Sequence, residues 1–286
     1  MCFKKDGFEP DAERRAFVAG SIGLAIGGLS PAVAQGGGVA PVAAPPPPTR
    51  VLDDARALHG PVRFTHNGQP GIGGYLARPA AEGTYPAVLV IAGNRISEEY
   101  IPNTCAALAL AGFVGLAPDI FHVIPDSART LDEMRAATAR HSDEDVIHDI
   151  HVGIDHLRGQ SFVRRGGIGV VGFCFGGRIA MLLGARSREV DAVVAYHPGP
   201  VTAEEIARLE APVQVHCGTA DRNVSVGAIR ALEAMLKAQR TPNEIHLYEG
   251  ADHGFLAYTR PPRYDPAAGA LSWRRSVEFL RRLLVP

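Results

Sequence analysis

The sequence predicts an α/β fold in which a doubly wound, mostly parallel sheet is flanked by helices. The chain has 286 residues, of which 46% are hydrophobic and 21% charged, a composition typical of a globular protein with a sizeable core. Continuous apolar runs, such as AVLVIA at residues 87–92, are typical of strands that are covered on both faces. These runs alternate with longer helical segments, which favours parallel strands joined by crossover helices.

The first 34 residues are predicted to be an export signal. Arg14 and Arg15 precede an apolar Gly/Ala-rich run over residues 16–29, and Ala32-Val33-Ala34 supplies small residues at the cleavage spacing. The paired arginines favour the twin-arginine route, so we expect a periplasmic protein. The apolar run has about 14 residues, fewer than the roughly 20 that a spanning helix needs. We therefore expect no stable membrane anchor once residues 1–34 are removed, although an anchor is the alternative interpretation.

Residues 35–48, QGGGVAPVAAPPPP, have a low-complexity composition with no apolar periodicity. Such a segment cannot bury enough apolar surface to offset its chain entropy, so we expect a flexible linker and one folded domain over residues 49–286. The 29 basic and 30 acidic residues give a formal net charge of −1, without a block of like charge. This balance argues against nucleic acid as a partner. The oligomeric state is not indicated by the sequence.

The elements are predicted in chain order from apolar runs and turn residues. Turn residues at 67–71 separate the first two strands, and a long polar segment has helical character with a break near 141–143. The predicted strands are 62–66, 72–78, 87–92, 113–117, 168–172, 192–196, 213–217 and 244–248. The predicted helices are 98–111, 127–158, 175–185, 204–209, 226–238 and 267–284. In such a sheet the active site lies beyond the carboxyl ends of the strands, so residues directly after each strand are the functional candidates.

One strand-to-helix junction carries a G-x-C-x-G sequence, Gly172-Phe173-Cys174-Phe175-Gly176. This is the pattern of a nucleophile elbow with cysteine in place of serine, and the tight turn favours glycine two positions before and after the nucleophile. At the start of a helix the macrodipole favours the thiolate of Cys174. The N–H of Phe175 is expected to bind an oxyanion. The alternative is that Cys174 is a small buried residue, as most free cysteines are.

The partners of Cys174 are predicted from the chain order nucleophile, acid, histidine. Asp221 follows the predicted strand 213–217, and His253 follows the strand 244–248. Both should lie at the same edge of the sheet as Cys174. We expect His253 to keep the cysteine as a thiolate and to act as acid and base, while Asp221 fixes the imidazole tautomer.

Neighbouring residues leave alternatives open at this edge. Asp252 is a rival acid, although a residue adjacent to His253 is expected to point away from its ring. His197 ends a strand and either lines the pocket or has no catalytic role. Arg95 and Phe255 are the other pocket candidates.

No metal site or cofactor is predicted. His148, His151 and His156 lie in the polar helix at spacings of three and five residues, which is not the i, i+4 spacing of a helical zinc motif. A solvated helix face is the favoured interpretation of these histidines. Cys105 and Cys217 lack the elbow glycines, and we expect them to be buried in the core and in a strand.

The motifs around the triad candidates resemble those of the dienelactone hydrolase family, also called carboxymethylenebutenolidases. The matching segments are VVGFCFGGR, HCGTAD and GADHGF, and TRPPRYDPAA near the C-terminus resembles an exported branch of the family. The resemblance covers roughly residues 60–286 and implies an α/β-hydrolase fold. It implies hydrolysis of an activated ester or enol-lactone through a thioester acyl-enzyme, with a small-molecule substrate and no cofactor. It also suggests the backbone N–H of Asn94 as a second oxyanion donor.

The chain departs from the family pattern at two positions. The family usually has a glutamate after the strand that ends at Ala92, where this chain has Gly93. Dienelactone hydrolase itself has an arginine four residues after the catalytic histidine, where this chain has Ala257, with Arg260 and Arg263 nearby. Both departures weaken the case for dienelactone as the substrate. A broader carboxylesterase or thioesterase, or a non-catalytic ligand-binding relative, are the alternatives.

Overall fold

The computed structural model describes residues 49–64, 71–93, 99–123, 132–133, 136 and 139–285. The predicted export signal, the linker, Asn94 and Arg95 lie outside these residues, so they stay predictions. Within the described ranges, no helix combines the length and the apolar character that crossing a membrane requires.

Eight strands of the described chain form one sheet. They are β1 (Ala57–Arg63), β2 (Gly73–Pro79), β3 (Ala87–Ile91), β4 (Val114–Pro118), β5 (Ile168–Phe173), β6 (Val190–Tyr196), β7 (Val213–Gly218) and β8 (Asn243–Tyr248). Their order is β1-β2-β4-β3-β5-β6-β7-β8. Strand β2 pairs antiparallel with β1 and β4, and every other neighbouring pair is parallel. The predicted doubly wound, mostly parallel sheet is confirmed.

Helices flank this sheet, and polar residues define where several of them begin. They are α1 (Tyr100–Leu110), α2 (Asp143–Arg158), α3 (Phe175–Arg186), α4 (Val226–Ala238) and α5 (Pro266–Leu284). Ser142 and Asp145 form a capping box that starts α2, at the break predicted near 141–143. Asp265 caps α5 and is followed by Pro266 in the first turn, where proline needs no backbone donor.

Two predicted elements differ from the structure. The first strand was expected at 62–66 but runs over Ala57–Arg63, because all seven residues pair with β2. The helix expected at 204–209 is a series of turns. Thr202 and Glu205 bond each other's backbone N–H groups, but only short-range turn hydrogen bonds follow before Pro212. That segment is too short to sustain a regular helix.

The core of the sheet fixes the edge at which the candidate residues lie. Every residue of β3, β4 and β5 is buried, as the apolar runs predicted. The strands from β3 to β8 are parallel, so their carboxyl ends share one edge. There Gly93 follows β3, Cys174 follows β5, His197 follows β6, Asp221 follows β7 and His253 follows β8.

Candidate active site

Cys174 occupies a strained turn between β5 and α3. Its backbone has φ 54° and ψ −115°, and a positive φ is costly for a residue with a side chain. The turn is held in place because the Cys174 N–H donates to the carbonyl of Tyr196 on β6, at 3.0 Å. The Cys174 carbonyl accepts from the N–H of Gly177, also at 3.0 Å. Strain held by surrounding hydrogen bonds is typical of functional positions.

The two elbow glycines have a direct steric reason. A Cβ atom at Gly172 would lie 2.1 Å from the carbonyl oxygen of Gly176, far inside van der Waals contact. A Cβ atom at Gly176 would lie 2.2 Å from the carbonyl oxygen of Ile91 on β3. The close approach of α3 to β3 and β5 therefore requires glycine at both predicted positions.

Asp221 is the carboxylate that faces the ring of His253. Its Oδ2 lies 2.9 Å from His253 Nδ1, and its Oδ1 accepts the backbone N–H groups of Asn223 and Val224 at 2.8 and 2.9 Å. The rival Asp252 uses its Oδ1 to accept the backbone N–H of His253 at 2.7 Å. Asp252 is therefore committed to the main chain, whereas Asp221 is positioned to set the imidazole tautomer.

The sulfur of Cys174 lies beside the histidine. Sγ of Cys174 and a ring nitrogen of His253 are within 4.8 Å of each other. Because Asp221 holds Nδ1, Nε2 is the ring nitrogen left for the sulfur. The backbone N–H of Phe175, the predicted oxyanion donor, lies close enough to the sulfur to help lower the pKa of the thiol. The structure thus brings together all three predicted triad residues and one of the two predicted oxyanion donors.

The electrostatics of the site favour a thiolate–imidazolium pair. Burial opposes ionisation of Cys174, but the hydrogen bond and charge of His253 outweigh it, so the pKa of the thiol is lowered. Burial opposes protonation of His253, but hydrogen bonds to Asp221 and Cys174 raise its pKa to about 9. Burial disfavours the Asp221 carboxylate, yet its hydrogen bonds to His253 and the backbone keep its pKa below the ordinary value. All three shifts therefore favour the charged pair over the neutral one, with a carboxylate behind the ring.

The pH dependence of thiol labelling follows from these shifts. We expect the rate at which iodoacetamide alkylates Cys174 to rise with pH around a midpoint below the ordinary thiol pKa of about 8.5, because the thiolate is the reactive form. The substitution His253→Gln should move the midpoint upward, since it removes the imidazolium that lowers the pKa of the thiol. Peptide mass spectrometry across pH measures both profiles.

Cys105 and Cys217 are internal controls for this labelling. Both are buried, and burial raises the pKa of each thiol, that of Cys217 to about 12. They should stay unlabelled in the folded protein at neutral pH. A Cys174 midpoint at or above the ordinary thiol value would contradict the thiolate assignment. The burial of both residues agrees with the sequence prediction.

His197 lies against His253. The two ring centroids are 4.1 Å apart, and the His197 backbone has φ 36°. Burial lowers the pKa of His197 to about 3, so its ring is neutral next to the charged His253. Within the described part of the chain, its buried Nδ1 finds no hydrogen-bond partner. His197 lines the cavity beside Cys174, as one of its two interpretations predicted.

A cavity opens beside Cys174, and Arg260 lines it together with His253. Its wall includes Tyr100 and Ile101, which the sequence reasoning missed although they begin the first helix after β3. Phe255 was predicted for the pocket, but it is fully buried and packs on aromatic rings of the core, 5.1 Å from that of Tyr248. The preceding glycine, Gly254, has φ 79° and redirects the chain inward. The prediction for Phe255 was therefore wrong.

Gly93 packs against the elbow. A Cβ atom there would lie 2.7 Å from the carbonyl oxygen of Phe173 and 3.0 Å from Cβ of Cys174. This backbone conformation leaves no room for a side chain at position 93. Glycine at position 93 therefore has a steric reason.

The histidines of α2 fit a solvated face only in part. His148 is exposed, as expected. His151 Nδ1 bonds the carbonyl of Ile147 at 2.8 Å, and His156 is half-buried with its ring 5.1 Å from that of Phe64. The prediction was wrong for His151 and His156, because the helix face that carries them is partly covered.

Comparisons with known proteins indicate the family of this chain. A family model described as the dienelactone hydrolase family matches residues 72–284. A Bradyrhizobium sp. protein, provisionally named a 2-oxo-3-(5-oxofuran-2-ylidene)propanoate lactonase, is 29% identical over 220 residues, which are 72% of this chain and 88% of the relative. An Escherichia coli protein, provisionally named a carboxymethylenebutenolidase, is 28% identical over 267 residues, which are 88% of this chain and 97% of the relative.

Solved structures share the fold. A Klebsiella pneumoniae protein provisionally described as a dienelactone hydrolase superposes with a TM-score of 0.72 at 24% identity, covering 79% of this chain and 99% of that structure. A dienelactone hydrolase-like promiscuous phosphotriesterase from metagenomic libraries superposes with a TM-score of 0.67 at 21% identity, covering 80% of this chain and 99% of that structure. At these identities the likeness is one of architecture.

Proposed function

The chain belongs to the dienelactone hydrolase family and hydrolyses ester or lactone bonds, and we propose that it cleaves activated esters and lactones through a cysteine thioester. The observation that carries this proposal is the constellation of Cys174, His253 and Asp221. A lowered thiol pKa, an imidazole within reach and a carboxylate on its far side are the requirements of covalent cysteine catalysis.

In the proposed acylation, the thiolate of Cys174 attacks the carbonyl carbon of the substrate. The negative charge that develops on the carbonyl oxygen is stabilised by the N–H of Phe175 and, in our proposal, by that of Asn94. The C–O bond then breaks, and the imidazolium of His253 gives its proton to the departing oxygen. An acyl group stays on the sulfur as a thioester.

In the proposed deacylation, the now neutral His253 removes a proton from water, which attacks the thioester carbonyl. The C–S bond breaks, the carboxylic acid is released and the thiolate–imidazolium pair is restored. Asp221 stays ionised throughout and stabilises the charged ring, because its hydrogen bond to Nδ1 is present in every step.

The nucleophile restricts the substrates. The tetrahedral adduct on sulfur expels a thiolate more easily than an alkoxide, so acylation is productive when the leaving group departs readily. Enolates, phenolates and thiolates meet this condition, and opening an enol-lactone ring releases a stabilised enolate. Activated esters and lactones are therefore the proposed substrate class, and peptides are not.

A substrate panel with a constant acyl group tests this proposal. We expect aryl and enol esters to show kcat/KM values higher than those of the matching alkyl esters by roughly tenfold or more, which corresponds to about 1.4 kcal/mol of barrier. Rates are measured by pH-stat titration, which detects the released acid whatever the leaving group. Faster turnover of the alkyl esters would contradict the thioester route, and hydrolysis of thioesters above all others would favour a thioesterase.

Arg260 is proposed to bind a carboxylate of the substrate, since it lines the cavity beside His253. We expect Arg260→Ala to raise KM for a carboxylate-bearing ester by roughly tenfold, as a lost charge-assisted hydrogen bond is worth about 1.5–3 kcal/mol. The KM of a neutral ester of the same alcohol should change little. Arg263→Ala is the matched control, because Arg263 is exposed and outside the cavity. The role would be contradicted if Arg260→Ala and Arg263→Ala raised KM equally, or if Arg260→Ala raised KM equally for the two esters.

Export is also proposed, on the sequence of residues 1–34. Fractionation of the native host should recover the processed chain in the periplasm. Recovery of the full-length chain in the cytoplasm alone would contradict this part of the proposal.

A further inference from the structure

A second cluster of potential metal ligands lies outside the candidate active site. His122 Nε2 lies 2.8 Å from Asp149 Oδ2, and His141 Nε2 lies 2.9 Å from the same oxygen. One ligand atom from each of the three residues lies within 4.8 Å of those of the other two. The side chains come from the loop after β4, the residue before the α2 cap and the second turn of α2. Three separate parts of the chain therefore converge on one point.

The cluster is built around a buried carboxylate. Asp149 is 7% exposed, and a buried carboxylate is costly unless it is paired or bound to a metal. Among the described residues, the ion-pair partners found for Asp149 are His122 and His141. Each imidazole places its Nε2 within hydrogen-bond distance of the same carboxylate oxygen. A bound divalent cation would satisfy the charge and all three ligand atoms at once.

We propose that His122, His141 and Asp149 form a binding site for a divalent first-row transition-metal ion of the Zn²⁺ type. Two imidazole nitrogens and one carboxylate oxygen suit Zn²⁺ and Co²⁺, whereas Mg²⁺ and Ca²⁺ favour oxygen ligands alone. The site leaves a coordination position for water, and the side chain of His122, which is 38% exposed, provides access from solvent.

The observed spacing is close to that of a metal-bound arrangement. Tetrahedral ligands at roughly 2.0–2.1 Å from zinc lie about 3.3 Å from each other. Metal binding would therefore require the nitrogen–oxygen distances of 2.8 and 2.9 Å to increase slightly, and rotation of the side chains is enough for this. On binding, each imidazole presents the lone pair of Nε2 and carries its remaining proton on Nδ1.

The site has a structural consequence near the nucleophile. His122 and His141 lie at the two ends of the segment 123–140, so one ion would join both ends to α2. The residue next to His122 is Phe121, whose ring centroid lies 6.0 Å from that of Phe175 on the elbow. A metal ion here would stabilise the surroundings of Phe175 without contacting Cys174.

The test must exclude the other cluster of metal-binding side chains. Cys174, His197 and His253 also place ligand atoms within 4.8 Å of one another, and a thiolate binds soft metals strongly. All measurements therefore use the Cys174→Ala variant of the full chain. Co²⁺ is the spectroscopic probe, because its visible absorption reports the ligand geometry, and Zn²⁺ is the competitor.

We expect Cys174→Ala protein to bind one equivalent of Co²⁺ with visible ligand-field bands, to lose it to Zn²⁺, and to ignore Mg²⁺. Adding the double substitution His122→Ala/His141→Ala should abolish binding. Adding Asp149→Asn should abolish it too, and this variant keeps the test possible if the double variant does not fold, because asparagine has the shape of aspartate. Adding His148→Ala, an exposed histidine of the same helix, should leave binding unchanged. Zn²⁺ should raise Tm only where the cluster is intact. Absence of Co²⁺ binding, or binding that survives Asp149→Asn, would overturn the proposal.

Discussion

Replacing Cys174 with alanine is expected to reduce kcat by roughly 10⁴-fold or more, the scale seen when a triad nucleophile is removed. The substitution deletes the atom proposed to form the thioester, and no other described thiol lies at a strand-to-helix turn of this kind. The free energy of unfolding should change little, since alanine retains the Cβ atom and adds no bulk to the elbow. Aryl ester hydrolysis and urea unfolding measure the two quantities.

Cys105→Ala is the matched control for the nucleophile. Cys105 is fully buried in α1, so this change should lower stability while leaving kcat near its original value. Unchanged turnover in Cys174→Ala would refute the nucleophile assignment. Loss of activity together with loss of folding would also count against it, because the prediction separates the two.

Alanine at Gly172 is expected to destabilise the protein by more than about 4 kcal/mol, or to prevent folding. The added methyl group would lie 2.1 Å from a backbone oxygen of Gly176, and backbone atoms cannot rotate away as a flexible side chain can. Relief requires α3 to move off β5, which breaks the turn that holds Cys174. Urea denaturation of the purified variant, or its soluble yield, measures the effect.

Gly227→Ala controls for the general effect of replacing glycine. A Cβ atom at Gly227, in the first turn of α4, would meet nothing closer than 3.7 Å, the Oγ of Ser225. Alanine is the better helix former, so this variant should be as stable as the original or more stable. If Gly172→Ala were as stable as Gly227→Ala, the steric account of the elbow would be wrong.

The sheet and the positions of Cys174, Asp221 and His253 at its edge were predictable because their signals are local. Buried parallel strands such as β3 and β5 are continuous apolar runs, and in this fold the functional residues follow such strands directly. Cys174, Asp221 and His253 each needed only one strand end and one motif to be placed. The comparisons show the same family.

The remaining features depend on contacts that local pattern does not encode. His122 and Asp149 are 27 residues apart and meet through packing of α2 beside the end of β4. The inward turn of Phe255 depends on the positive φ of Gly254, and β1 is defined by pairing with β2. Hydrophobic periodicity reports which face of an element is buried, but not which loops meet at its end.

The close packing at Gly93 bears on how substrate preference can change by mutation. The substitution Gly93→Glu would place Cβ 2.7 Å from a main-chain oxygen of the elbow, so the protein cannot accept it unless the backbone shifts first. Such a shift is opposed by the same contacts that make Gly172 and Gly176 necessary. Altered selectivity is therefore more accessible through the cavity walls at Tyr100, Ile101 and Arg260, where side chains already face the void.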